Sequence, residues 1–184
     1  MNSISRFQHL AAMAMAVIAV AGLAACRTRP PLGVVPTLDV PRFMGRWYVI
    51  ACIPTWIERN AYAATETYER DAKGRILTTF TFRKGGLHGP TRSYHPLGFV
   101  APDSGGGLWG MQFIWPIRAD YRVMYVDPQY RLTLIGRNRR DYAWIMARTP
   151  RISAEQYQQM VALLKEAGYD TDALRRVPQL DGDG

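Results

Sequence analysis

The chain has 184 residues, of which 48% are hydrophobic and 11% aromatic, and its formal net charge is +8. This length allows one ordinary domain with its own core, and this composition excludes an intrinsically disordered chain. The positive charge comes almost entirely from arginine, and the arginines are spread through strand-like segments. A nucleic-acid-binding protein usually gathers its basic residues on one face or tail, so the sequence indicates no nucleic-acid partner.

Residues 1–25 have the layout of a secretory signal peptide. Arg6 precedes an uncharged stretch over residues 10–23, and small residues follow. This stretch is shorter than the roughly 20 apolar residues that a transmembrane helix needs. It ends in Leu23-Ala24-Ala25-Cys26, which resembles the lipobox of bacterial lipoproteins. The resemblance implies cleavage before Cys26 and lipidation of its thiol, which tethers the protein to a membrane; ordinary cleavage with a free Cys26 is the alternative.

The residues after Cys26 indicate which membrane holds the lipid anchor and how the domain is joined to it. Arg27 stands where an aspartate would retain a lipoprotein at the inner membrane, so resemblance to Gram-negative sorting implies the outer membrane, with its periplasmic face as our expectation. Residues 26–38 include Pro30 and Pro31. We therefore expect this segment to be an extended spacer between the lipid and the domain.

The body of the chain has the pattern of an all-β protein. Between residues 46 and 149, short runs rich in β-branched and aromatic residues are separated by turn residues at regular spacing. Eight strands are predicted, over residues 46–53, 63–69, 75–83, 91–99, 108–115, 121–126, 130–137 and 142–149. Because the connections are short, consecutive strands are expected to pair antiparallel and to close into a barrel that can hold one small ligand.

One helix is predicted after the strands. Ser153 and Gln156 fit a capping box, and Gly168 is a typical helix stop. An apolar stripe recurs at helical spacing in Tyr157, Met160, Val161 and Leu164. We therefore predict a helix over residues 153–167 that packs outside the barrel, followed by a disordered tail over residues 179–184.

Strand alternation predicts which side chains face the interior and contact a ligand. With Trp47 inward, the first strand contributes Val49 and Ala51; the sixth strand contributes Tyr121, Val123 and Tyr125. The loops 102–107 and 115–118 are expected to form the mouth, where Arg118 could meet a carboxylate or phosphate head group. The alternatives are interior side chains that simply fill a closed core, and an Arg118 that is plain surface charge.

Several segments resemble the lipocalin family. Gly45-Arg46-Trp47-Tyr48 is similar to the family's Gly-x-Trp-Tyr signature, and residues 39–44 are similar to the short plug before it. Residues 121–130 are similar to the corner between strands F and G, and residues 141–150 to the last strand. The resemblance covers residues 39–178 and points to the bacterial outer-membrane lipocalin lipoproteins and their apolipoprotein D-like relatives.

This resemblance implies an eight-stranded antiparallel up-and-down β-barrel with one C-terminal α-helix packed outside. It implies structural roles for Gly45, Trp47 and Arg148, with Arg148 stacked across Trp47 at the base of the barrel. It also implies a protein that stores or transports fatty acids such as palmitate, lysophospholipids or similar amphiphiles in the bacterial envelope. The oligomeric state stays open, with a dimer as one option.

The residues indicate neither catalysis nor a metal or cofactor. Residues 105–110 match Gly-x-Gly-x-x-Gly, but the following segment is strand-like, and a dinucleotide site needs a helix there. His88 and His95 lack the spacing of a metal site or a catalytic triad. Cys52 lies in an apolar run typical of a buried thiol. We therefore predict a binding protein that is not an enzyme; a structural or partner-binding lipoprotein with a filled barrel, or a lipocalin-type isomerase, are the alternatives.

Overall fold

The β-branched and aromatic runs of the sequence form strands. A computed structural model describes residues 29–180, so the leader, Cys26 and residues 181–184 lie outside the described residues, with the predictions made for them. The strands are β1 (Gly45–Ile53), β2 (Ala61–Arg70), β3 (Ile76–Lys84), β4 (Thr91–Tyr94), β5 (Leu97–Val100), β6 (Leu108–Ile114), β7 (Ile117–Val126), β8 (Leu132–Gly136), β9 (Ala143–Ala147) and β10 (Arg175–Arg176). The helices are α1 (Val40–Phe43) and α2 (Ala154–Glu166), and a 3₁₀ turn spans Thr171–Ala173.

The strands close into a barrel. Each wall strand pairs antiparallel with the next, and β1 also pairs with β9, so the sheet has no free edge at that seam. β4 and β5 both pair with β3 and together form one broken wall strand. The break falls at Pro96, which has no amide hydrogen to donate to the ladder. The predicted closed eight-stranded antiparallel barrel is therefore confirmed.

α2 packs against the outside of the barrel, as predicted. Ser153 caps the helix, and its side chain and that of Gln156 form the two reciprocal hydrogen bonds of a capping box. Met160 and Leu164 are fully buried in a cluster that also contains barrel residues such as Ile145. Among the described residues, no helix is long and apolar enough to cross a membrane.

Because of two β-bulges, some side chains face the opposite side of the sheet from the one that simple alternation predicts. In β1 the pairing with β9 shifts between Val49 and Ala51, and in β7 the pairing with β8 shifts between Val123 and Tyr125. Each bulge adds one residue, which reverses the inward and outward positions beyond it. Ala51 and Tyr125 therefore pack in the outer cluster beneath α2, and the prediction that they face the interior is wrong for both. Cys52 faces the interior instead.

The chain from Leu32 onward forms a compact unit. The amide of Val35 donates to the carbonyl of Val123 (2.9 Å), and that of Leu38 donates to the carbonyl of Gly105 (2.7 Å). Leu32 and Leu38 are both buried. The predicted spacer over residues 26–38 is thus too long, because its residues from Leu32 pack along the barrel wall.

The C-terminal boundary also differs from the prediction. The side-chain amide of Gln179 donates to the carbonyls of Val49 (2.7 Å) and Ala64 (3.2 Å). β10 pairs with β1 just before it. The predicted disordered tail therefore does not begin at Gln179, because this side chain is fixed by two hydrogen bonds to the wall.

One end of the barrel is closed by aromatic rings and an arginine. Phe43 of α1 lies 4.9 Å from the Trp47 ring and meets the Trp109 ring edge-on at 5.6 Å. The Arg148 guanidinium lies 3.8 Å over the Trp47 ring, and burial lowers its pKa to about 10. It also donates to five backbone carbonyls, those of Arg42, Phe43, Met44, Arg46 and Tyr130. One side chain therefore ties α1, the start of β1 and the β7–β8 turn together.

We expect Arg148→Ala to lower the free energy of unfolding by about 3 kcal/mol, because it removes the cation–π contact and leaves the carbonyls at this end without their donor. Urea denaturation followed by tryptophan fluorescence measures the change. The matched control is Arg139→Ala, since Arg139 is 81% exposed, and we expect a change within about 0.5 kcal/mol. Equal effects of the two substitutions would show that the arginine contributes little to closing the barrel.

Candidate functional site

The barrel encloses a cavity of about 530 Å³ between the aromatic base and the opposite end. Its walls are lined by Thr55, Trp56, Ile57, Glu58, Glu66, Thr78, Phe80, Tyr94, Pro96, Met111, Phe113, Ile114, Ile117, Ala119, Asp120, Tyr121, Arg137, Tyr142 and Trp144. Most of these side chains are apolar or aromatic. This volume lies within the range of small-molecule sites and suits a hydrophobic ligand.

The cavity opens at the end of the barrel where the loops 54–60, 85–90, 115–116 and 137–142 lie. Large apolar side chains are exposed there: Trp56 is 75% exposed, Ile114 72%, Trp115 82% and Ile117 69%. Exposed apolar residues scattered singly are common on protein surfaces, whereas a group of them at one opening marks an interaction site.

The floor of the cavity is polar. The hydroxyl of Tyr68 donates to the carboxyl of Glu66 and lies 2.6 Å from the hydroxyl of Tyr121. Burial raises the pKa of Glu66 to about 8, with a further contribution from the charge of Glu58. Burial and these two carboxylates also hold the pKa of Tyr121 well above its usual value. The Glu66 carboxyl is therefore mainly protonated at neutral pH and can donate a hydrogen bond.

A second buried carboxyl lies nearer the mouth. Glu58 accepts hydrogen bonds from the Trp144 indole and from the Thr55 amide, and burial raises its pKa. Nearby, burial and the charge of Glu58 raise the pKa of the Cys52 thiol to about 12. The thiolate is the reactive form of cysteine, so Cys52 is unsuited to act as a nucleophile here.

Thr78 contributes a polar group with unmet hydrogen-bonding capacity. It lines the cavity, is 2% exposed, and its hydroxyl oxygen has no hydrogen-bond partner within residues 29–180. Such groups are rare in native structures because leaving a buried hydroxyl unpaired lowers stability. A ligand atom could supply the missing partner.

The predicted ligand contacts lie in several different places. Tyr121 lines the cavity. Val49 and Val123 are buried in the interior cluster but do not border the open space. Ala51 and Tyr125 lie beneath α2, as described above. Only one of these five side chains therefore borders the cavity.

Arg118 lies near the mouth end of β7 but on the outer wall, so the prediction that it could meet a ligand head group is wrong, and the alternative of a surface charge agrees with the structure. Its side chain is exposed and its guanidinium stacks over the ring of Phe99 at 3.6 Å. The physical reason is alternation along β7: because Tyr121 and Ala119 face the cavity, Arg118 must face outward. The same alternation, counted back from Tyr121, would have identified Ala119 and Ile117 as wall residues.

The glycine-rich loop 102–107 lies at the closed end and not at the mouth. Gly105 has a φ of +61°, and a Cβ there would collide with the carbonyl oxygen of Pro36. The carbonyl of Gly106 accepts a hydrogen bond from the Trp109 indole. These glycines let the segment before α1 approach the barrel, which gives the Gly-x-Gly-x-x-Gly pattern a structural role. The loop 115–116 does lie at the mouth.

Sequence reasoning missed the carboxyls of the site. Glu66 stands two residues before Tyr68 on β2, so an inward Tyr68 implies an inward Glu66. Glu58 lies in the loop before β2 and has no comparable signal, because loop side chains follow no period. Within the described range, no group of His, Cys, Asp and Glu side chains is arranged to hold a metal ion.

We expect Glu66 to make stability depend on pH. Its carboxyl titrates near 8 in the folded protein and near its ordinary 4.5 when unfolded. The folded state therefore holds an extra proton between these values, and stability falls as pH rises from about 4.5 to about 8. Melting temperatures from pH 5 to pH 8 should fall less in Glu66→Gln than in the wild type.

The remaining fall in Glu66→Gln is expected from Glu58, whose pKa is raised as well. The control is Glu69→Gln on the same strand, since Glu69 is exposed and should leave the pH dependence unchanged. If Glu66→Gln melts with the wild-type pH dependence, the Glu66 carboxyl is not held protonated in the folded barrel.

Comparisons with known proteins agree with this fold. The family model of the lipocalin-like domain matches residues 38–179. Temperature-induced lipocalin-1 of Arabidopsis thaliana is 34% identical over 160 residues, which cover 80% of this chain and 83% of the relative. Outer membrane lipoprotein Blc of Escherichia coli (strain K12) is 32% identical over 163 residues, which cover 82% of this chain and 85% of the relative.

Solved structures show the same architecture at low sequence identity. Insecticyanin from the tobacco hornworm Manduca sexta superposes with a TM-score of 0.66 at 17% identity, over 83% of this chain and 86% of insecticyanin. Lobster apocrustacyanin A1 gives a TM-score of 0.61 at 12% identity, over 85% of this chain and 94% of that chain. These likenesses concern the fold alone. With the family model matching most of the chain and relatives above 30% identity, the chain belongs to the lipocalin family.

Proposed function

We propose that this protein is a membrane-anchored carrier that binds fatty acids, lysophospholipids or similar amphiphiles in its barrel and does not act as an enzyme. The observation that supports this most directly is the cavity of about 530 Å³ with largely apolar walls and an open mouth. A filled barrel is the weaker alternative, because the aromatic side chains fill only the closed end.

The size of the cavity is compatible with useful affinity for an acyl chain. Removing roughly 500 Å² of apolar surface from water, counting ligand and wall together, contributes about 12 kcal/mol. Association costs at least about 4 kcal/mol in lost translation and rotation. The difference is at most about 8 kcal/mol, which corresponds to a dissociation constant of about 1 μM at the tightest.

Arg137 replaces Arg118 as the cation that could meet an anionic head group. It lines the cavity in the β8–β9 loop at the mouth, and its guanidinium lies 5.0 Å from the centre of the Tyr142 ring. Its Nη1 pairs with Asp141 at 3.5 Å, while its Nε is buried with no hydrogen-bond partner among the described residues. A carboxylate or phosphate placed at the mouth would pair with the charge of this guanidinium.

The carrier proposal predicts that filling the cavity weakens ligand binding. Ala119→Trp places an indole in the cavity, and we expect the dissociation constant for palmitate or lysophospholipid to rise at least about tenfold. Native mass spectrometry of the chain from Arg27 onward, purified from cells and then titrated with each lipid, measures the bound fraction. The barrel unit from Leu32 has its own core, so we expect the chain from Arg27 onward to fold without the leader.

Arg118→Ala is the matched control for this experiment. The Arg118 side chain is next to Ala119 but points away from the cavity, so its substitution should leave binding unchanged. Thermal melts establish that both variants are folded. A wild-type protein that stays free of lipid under titration would contradict the carrier function and favour the structural alternative.

We also propose that lipidated Cys26 anchors the protein at the outer membrane, on its periplasmic face. The support is the lipobox-like sequence that ends at Cys26, together with relatives whose names describe outer membrane lipoproteins. Once Cys26 is acylated, the attached chains would hold the protein on the bilayer, at about 0.8 kcal/mol for each buried methylene.

The position of Leu32 favours a barrel whose mouth faces the bilayer. The Leu32 amide donates to the side chain of Asn138, in the β8–β9 loop at the mouth, at 2.8 Å. Leu32 is six positions after Cys26 in the sequence, and this length of chain can span at most about 20 Å. The exposed apolar rim, Trp56, Ile114, Trp115 and Ile117, lies at this same end. Tryptophan at a membrane surface places its ring among the head groups, so this rim suits contact with lipid.

We expect Trp115→Ser to weaken binding to vesicles of phosphatidylethanolamine and phosphatidylglycerol by about tenfold in the chain from Arg27 onward, which lacks the lipidated cysteine. Co-sedimentation measures the bound fraction. Trp115 does not line the cavity, so palmitate binding in solution should not change.

The matched control is Leu77→Ser, since Leu77 is 42% exposed on β3, away from the mouth. This substitution is expected to leave vesicle binding unchanged. Equal losses in both variants, or no loss in Trp115→Ser, would show that the mouth does not contact the bilayer.

A further inference from the structure

The floor of the cavity does not match the end of a plain hydrocarbon chain. Thr78, Glu66 and Tyr121 all border the open space there. A methyl group against them would leave the Thr78 hydroxyl without a partner, as it is within the described structure. A site with buried polar groups discriminates strongly against ligands that cannot hydrogen-bond to them.

Strand pairing brings these three groups together. In the β2–β3 ladder Tyr68 pairs with Thr78 and Glu66 pairs with Phe80, so Glu66 and Thr78 are diagonal neighbours on the inner face. Tyr121 of β7 reaches them from across the barrel, with its hydroxyl 2.6 Å from that of Tyr68. Side chains from three strands thus bring hydrogen-bonding groups to the floor of the cavity.

The charges around the cavity determine which end of an amphiphile lies at the floor. Glu66 at the floor is a carboxyl with a raised pKa, so an anion would be repelled there if it ionised. Among the residues that line the cavity, Arg137 is the one cationic side chain, and it lies in the β8–β9 loop at the mouth. Asp120 also lines the cavity, but its carboxylate is paired with Arg122 at 3.0 Å. An anionic head group is therefore favoured beside Arg137 at the mouth, and the tail reaches the floor.

We infer that the floor, formed by Thr78, Glu66 and Tyr121, is a polar subsite for a neutral hydroxyl group carried near the end of an otherwise apolar ligand chain. The ligand hydroxyl can accept from the Glu66 carboxylic acid, and it can donate to the Thr78 oxygen once the nearly covered Thr78 side chain turns toward the cavity. This inference rests on the proposed carrier function and adds a ligand class to it: hydroxylated fatty acids and related hydroxylated amphiphiles are bound in preference to their plain counterparts.

The test compares matched ligands on the delipidated chain from Arg27 onward at pH 7. Isothermal titration calorimetry gives dissociation constants for palmitate against 16-hydroxyhexadecanoate, and for dodecanoate against 12-hydroxydodecanoate. In the pair whose length fits the cavity, we expect the hydroxylated acid to bind about tenfold more tightly. Equal affinities within both pairs overturn the polar subsite and leave the carrier function standing, whereas no binding of any acid overturns both.

Variants of Thr78 separate a ligand contact from a structural role. Thr78→Val removes the hydroxyl at nearly constant volume, so the preference for the hydroxylated acid should disappear while the melting temperature rises, because a buried unpaired group is gone. Thr78→Ser should keep the preference. The matched control is Thr79→Val, since the Thr79 hydroxyl lies 3.3 Å from His95 on the outer face. A preference that survives in Thr78→Val overturns the assignment.

A third comparison of ligands tests whether the Glu66 carboxyl at the floor is charged. We expect 12-aminododecanoate to bind no more tightly than 12-hydroxydodecanoate, because a protonated Glu66 offers an ammonium group no opposite charge. If 12-aminododecanoate binds more tightly than 12-hydroxydodecanoate, and Glu66→Gln removes this difference, the carboxylate at the floor is ionised. This result would overturn a subsite for neutral hydroxyl groups.

Discussion

The pairing of β1 with β9 is the constraint on which the rest of the structure depends. Without it the sheet would have two open edges and no enclosed space; with it, every wall strand has two partners and the inward side chains share one interior. Closing so small a barrel requires strong local bending, and the bulges in β1, β2, β6 and β7 provide it. The same bulges then determine which residues face the ligand space and which face α2.

Closure also gives the two ends of the barrel different physical characters. At the base, α1 and Arg148 hold the aromatic rings in place, so this end is filled and dry. At the mouth, the loops leave tryptophan and isoleucine side chains in contact with solvent. Between them the enclosure keeps water away from two carboxyls and raises their pKa values. This asymmetry suits the proposed tethered carrier, which would need one closed end and one open end through which a ligand could enter.

Much of the fold was predictable from local pattern. The strands, the capping box at Ser153 and the stripe through Met160 each depend on residues close in sequence, and each is present. The break at Pro96 was open to prediction from the missing amide hydrogen. The site was far less predictable: Tyr121 lines the cavity, but Ala51, Tyr125 and Arg118 do not. The first two were misplaced by bulges, which strict alternation cannot anticipate, and Arg118 by an assumption about the loop that its own strand contradicts.

By itself the sequence determined the family, the order of the strands and the helix, because signature residues, turn residues and hydrophobic periods are local properties of the chain. It also carried the lipobox-like segment on which the proposed tether rests. Only the tertiary structure decided where the cavity lies, that loop 102–107 belongs to the closed end, and that Glu58, Glu66 and Thr78 all line one largely apolar cavity. Those facts depend on bulges, on closure and on contacts between residues far apart in sequence, and a pKa shift exists only once distant strands have excluded water from the group.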